Sequence, residues 1–217
     1  MPKKPATNPA EKLVKKRPSP QRRKGAKPPA PRLPPISLDA ITPDQAALID
    51  SIKDGPRGTF SNNGPFAIFL QAPGYGMLAQ KLGGFLRFQT SLPPRLSEFA
   101  ILCTGRYWKA QFEWHAHATI AAAQGVKAAA IRDLHAGRKP NSAPRDEKAI
   151  YDFVEELYSK RRVSDAAYAR VHNVLGDAGT VELVGILGYY ALISMTLNVF
   201  RVPLPEGAPL PFHEPAG

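Results

Sequence analysis

A single cysteine, Cys103, occurs in the 217 residues. That excludes an internal disulfide and a metal centre built from cysteines alone. The chain also lacks a Gly-rich strand-to-helix turn with its phosphate-binding lysine, and it has no Gly-x-Ser-x-Gly elbow. A paired-histidine zinc signature of the His-Glu-x-x-His kind is absent too. No stretch alternates apolar and polar residues at period two, so the chain reads as all-α. Acidic residues are almost missing from the start. Residues 1–35 hold 11 of the 29 Lys and Arg and one acid, Glu11. The overall charge of +11 therefore belongs almost entirely to that leader, and a basic globular surface does not follow from it.

The leader also holds ten prolines and the clusters Lys15-Lys16-Arg17 and Arg22-Arg23-Lys24. It has too little apolar surface to offset the entropy of ordering, so residues 1–38 are expected to be a disordered tail. Its Lys/Arg clusters suit weak, non-specific contact with nucleic acid. No aromatics interleave them, so base stacking is not implied. Neither a secretory signal nor a convincing transit peptide is visible, and a cytoplasmic setting is the expectation.

Helical signals begin at Thr42-Pro43-Asp44-Gln45, which has capping-box spacing, and a short helix should run through Ile52. Gly55–Pro65 is rich in Gly, Pro and Asn and reads as a loop. Helices are expected from about Phe66 and from Pro73 to Phe88, the latter with an apolar stripe of Met77, Leu78, Leu82, Phe85 and Leu86. Further helices are expected over Val126–His135 and Pro144–Arg161, then from Ser164 to Gly176. The last, Val181–Phe200, has Glu182 as its only charge and is long enough to span a bilayer. Glu182, Ser194, Thr196, Asn198 and the lack of flanking charge clusters favour burial by the fold and a neighbouring subunit, with no membrane. Residues 39–202 form the helical domain in this reading, and the Pro-rich stretch 203–217 an irregular tail.

The chemistry concentrates between Leu92 and Gly125. Two helices are expected there, about Pro94–Trp108 and Gln111–Gln124, the second stopped by Gly125. Glu98 lies in apolar surroundings on the first. Glu113 and His117, four residues apart on the second, share a face and can touch. A carboxylate beside an imidazole, both shielded from water, suits proton transfer. A network that only ties two helices together is the structural alternative, since buried ionisable groups need partners. Cys103 falls five residues beyond Glu98, roughly 140° around the helix, and suits a small core filler. Glu98 has a weak echo in Glu182, which also opens a long apolar helix.

Arg95-Leu96-Ser97-Glu98 and Glu113-Trp114-His115-Ala116-His117 together resemble the carboxymuconolactone decarboxylase family, which includes the alkylhydroperoxidase AhpD. The family pattern is Arg-x-x-Glu opening an apolar helix, then a helix with a catalytic pair followed by His. In the peroxidase branch that pair is Cys-x-x-Cys-x-x-x-His, and alignment on His117 puts Ala110 and Glu113 at the two cysteine positions. The resemblance implies an all-α AhpD-like helical bundle, a trimer or hexamer, with no cofactor and no metal. It implies decarboxylation of a small carboxylated lactone or related organic acid, with Glu98, Glu113 and His117 catalytic. Arg95 or Arg106 would meet a substrate carboxylate, and His115 would stand at the rim. Thiol peroxidase activity is the other branch, disfavoured by the missing cysteine pair. A non-catalytic oligomer tethered to anionic partners by its tail is a third reading.

Overall fold

The computed structural model describes residues 30–213. The expectations of disorder and of nucleic-acid contact for the leader fall mainly on residues 1–29, outside the described ones. Within them the chain is all-α, with no strand among the described residues. After a single 3-10 turn, Leu38–Ala40, eight helices follow: α1 Pro43–Lys53, α2 Gly64–Phe69, α3 Pro73–Phe88, α4 Pro94–Tyr107, α5 Gln111–Ala123, α6 Ala128–His135, α7 Arg145–Lys160 and α8 Asp165–Phe200. Residues 32–36, which composition assigns to the tail, lie along the body. Arg32 N–H donates to the Phe200 carbonyl, and Gln71 and Asn62 donate to the carbonyls of Pro34 and Ile36.

Local signals set the helix starts. Thr42 Oγ1 accepts from the Gln45 amide, and the Gln45 side chain accepts from the Thr42 amide at 2.8 Å. This satisfies two of the four amides that a helix start leaves unpaired. Proline opens α1, α3 and α4, where no intrahelical bond is lost.

The core is organised around α4, every residue of which from Leu96 to Gly105 is buried. It packs against α5, α6, α7 and α8. A helix enclosed on all sides buries whatever polar groups it carries, and that is what puts Glu98 out of water.

Two expectations are corrected. The apolar stripe on α3 is not one buried face. Ala79, Gln80, Gly83 and Leu86 face inward, while Leu78 is 71% exposed and Tyr75, Leu82, Phe85 and Phe88 are exposed with it. The C-terminal span α8 is two helices that meet at a kink at Gly176, whose φ of +68° and ψ of −171° leave the helical region, so the first ends where the glycine signals. Its second half begins at Asp177 rather than Val181. Leu183, Ile186, Leu187, Tyr190, Ile193 and Leu197 turn inward, whereas Val181, Val184, Met195 and Val199 are exposed. Glu182 does not echo Glu98 in environment, because its Oε2 accepts from the amide and hydroxyl of Ser91 at 2.8 and 2.6 Å.

The contact between α3 and α8 is tight at one point. A Cβ on Gly83 would lie 2.0 Å from the Tyr189 hydroxyl oxygen. Gly83→Ala should therefore lower stability, with about 1–3 kcal/mol of overpacking outweighing about 1 kcal/mol of better helix propensity. A denaturation midpoint no lower than wild type would show that Tyr189 is not wedged against α3.

Candidate functional site

Glu98 stands on α4, and Glu113 and His117 stand one turn apart on α5. The helices approach closely where Gly105 leaves room, with the Cβ position of Gly105 lying 3.7 Å from Glu113 Cγ. The three side chains meet in the core, at 5%, 4% and 4% exposure respectively. His117 Nδ1 donates to Glu98 Oε2 at 2.6 Å, and Nε2 donates to Glu113 Oε1 at 3.0 Å. Each ring nitrogen thus faces a carboxyl oxygen, an arrangement that favours the doubly protonated ring. The ring edge meets Tyr190 in a T-shaped contact, with centroids 5.2 Å apart.

Electrostatics agree with this geometry. Burial alone opposes a charged ring. The Glu113 carboxylate, by charge and hydrogen bond, and then Glu98 outweigh it and lift the His117 pKa to about 9. The imidazole is thus a proton donor at neutral pH, not a base. Among the described residues no group of three or more His, Cys, Asp or Glu could hold a metal ion.

Two tyrosines and an arginine that sequence reasoning missed belong to the same neighbourhood. Burial, reinforced by the Glu113 charge, pushes the Tyr190 phenol well above its usual pKa. Burial raises Tyr189 to about 12. Desolvation lowers the Arg57 pKa, while Tyr189, Tyr190 and Glu113 act in the opposite direction. Tyr189 and Tyr190 sit in an apolar helical run and Arg57 in a Gly/Pro loop, and neither setting marks a site before the helices are assembled.

The remaining expected site residues lie elsewhere. Arg95, expected at a substrate carboxylate, is instead committed to α7, where it donates to Asp146 Oδ2 at 2.5 Å and to Glu147 Oε1. Glu147 is fully buried and needs that partner. Arg106, the other expected carboxylate ligand, donates from Nε to the His135 carbonyl at 3.0 Å and lies over the Phe212 ring. It lines a surface cleft of about 430 Å³ with Lys109, His135 and Phe212, apart from the triad. His115 is half-buried on α5, and no hydrogen bond reaches its imidazole among the described residues. Cys103 is buried in the core, and burial holds its thiol well above the ordinary pKa, with Glu155 and Glu147 adding to the effect.

A search of solved structures matches the chain to a crystal structure of an alkylhydroperoxidase AhpD core, an uncharacterized peroxidase-related protein from Ralstonia eutropha JMP134. The TM-score is 0.68 over 82% of this chain and 94% of that one. The fold is AhpD-like. At 16% identity the match speaks to fold alone. Neither a protein-family model nor a curated protein matches the sequence. Ala110 is buried immediately before α5, and Glu113 is bonded to His117.

Proposed function

We propose that the chain is a cofactor-independent carbon–carbon lyase that decarboxylates a small carboxylated lactone or a related organic acid. One observation carries this reading: a buried imidazole clasped between two buried carboxyl groups, which raise its pKa to about 9 and so favour a stored proton. In the reaction, the bond between a ring carbon and its carboxylate breaks and CO2 leaves. The electron pair passes into an enolate conjugated with the lactone carbonyl. His117 supplies the proton from Nε2, through Glu113, to form the new C–H bond, and the neutral ring regains a proton from water. Glu98 holds the imidazolium from the other side. The test is CO2 release from a panel of lactone acids, with His117→Gln as the control. Release that is equal in both proteins would sink the mechanism.

The structural neighbour is described as peroxidase-related, which brings the thiol peroxidase reading forward. A thiolate, not a thiol, attacks peroxide. The buried Cys103 with its raised pKa does not supply one. Cys103→Ser is therefore expected to leave any peroxide consumption unchanged. Loss of peroxide turnover in that variant, assayed with an organic hydroperoxide, would restore the peroxidase reading.

The apolar residues exposed along α3 and the second half of α8 support a homo-oligomer, a trimer or a hexamer, which would cover them. Light scattering of the full chain reads the state directly, and a monomer at working concentration would contradict it.

A further inference from the structure

Arg57 is half-buried in the loop between α1 and α2, yet among the described residues no hydrogen bond or ion pair reaches its guanidinium. Its Nε is sealed from water without a partner. Two aromatic rings hold it instead. Cζ lies 4.9 Å from the Phe66 centroid and 5.6 Å from that of Phe88. Cation–π contact stabilises a charge only modestly, whereas a desolvated guanidinium with an unmet donor is costly. Such a group is complementary to a planar carboxylate, which meets its fork of N–H donors in two parallel bonds.

The Glu113 charge acts on the Arg57 guanidinium, and the helix after this loop packs against α5. A Cβ at Gly64, just past the loop, would strike the Phe112 ring, and Phe112 is the immediate neighbour of Glu113 on α5. The two arginines of α4 itself are already spent, Arg95 on Asp146 and Glu147 and Arg106 on a backbone carbonyl. Arg57 has no such commitment.

We propose that Arg57 receives the carboxylate of the ligand, on the Glu113 side of the triad, with Phe66 and Phe88 flanking a flat organic acid. The inference rests on the reading of the triad as a site for small carboxylic acids. It names the residue that selects for their charge. The cation also offsets the negative charge of Glu98 and Glu113, which would otherwise repel an anionic ligand.

Titration calorimetry with benzoate as the probe and neutral benzamide as its partner tests it on the full chain. Wild type should bind benzoate, and Arg57→Met should weaken that binding about tenfold or more, with Arg57→Lys in between. Benzamide binding should be the same in wild type and Arg57→Met. The triple variant His117→Gln, Glu98→Gln, Glu113→Gln, which leaves no uncompensated carboxylate, should retain benzoate binding, so loss of turnover with binding intact separates failure of the proton-transfer reading from failure of this one. Benzoate binding that is absent in wild type, or unchanged in Arg57→Met, overturns the proposal. So does an Arg57→Met variant that changes only the oligomeric state, because the guanidinium would then be paired with an acid of a second copy.

Discussion

Glutamine in place of His117 is expected to reduce turnover by about 10²–10⁴-fold, the usual contribution of a positioned proton donor. The same change should destabilise the fold by about 3–5 kcal/mol, because it leaves Glu98 and Glu113 buried without their shared cation. The two effects can be separated. If the stability cost comes from uncompensated carboxylates, adding Glu98→Gln and Glu113→Gln should recover part of it, since residues in one network are not additive. Turnover should not return with stability. Denaturant midpoints for the single and triple variants check the first effect, and CO2 release checks the second. A single variant as stable as wild type would mean that the carboxylates are not held by the imidazolium.

Raising the pH is expected to have an effect of similar size. The His117 pKa is about 9 in the folded chain against 6.5 in the ordinary state. A raised folded pKa contributes stability that is fully present below 6.5 and is lost as pH climbs through about 9. The shift corresponds to about 3 kcal/mol, fully present below about pH 6.5. Between those two values stability should fall by about 1.4 kcal/mol per pH unit, because the folded state holds one proton more than the unfolded chain. His117→Gln should flatten this slope. Turnover should instead fall as pH rises through about 9, where the folded chain loses the proton to be donated. A wild-type stability that is level or rising from about pH 7 to 9 would contradict the assignment.

Much of the architecture was legible because helix ends carry their own chemistry. The bounds Pro73–Phe88 of α3 follow from the proline start and the apolar run, and the Thr42/Gln45 capping box fixes the start of α1. The face of a helix is less legible, because it depends on what the rest of the chain places beside it. On α3, the inward face is Ala79, Gln80, Gly83 and Leu86, while the larger apolar Leu78, Leu82 and Phe85 point out, so periodicity alone could not tell the core side from the exposed side. On α8, Gly176 signals a stop, yet the helix resumes one residue later.

Glu113 and His117 were readable as a pair because four residues is one helical turn. Their meeting with Glu98 followed from the resemblance and needed the packing of α5 on α4 to become a distance. Arg95 illustrates the opposite case. A nearby arginine on the right helix looks like a ligand for substrate, but Asp146 and Glu147 arrive from α7, some fifty positions later, and occupy it. Tyr190 and Arg57 reach the same neighbourhood only through tertiary structure, and no local spacing encodes them.

The most direct measurement is the protonation of His117 itself, read from nitrogen chemical shifts of selectively labelled imidazole across a pH series. Both ring nitrogens should be protonated at about pH 7, and the ring should lose a proton near 9. One protonated nitrogen at neutral pH, or a midpoint below about 7, would contradict an imidazolium held between Glu98 and Glu113.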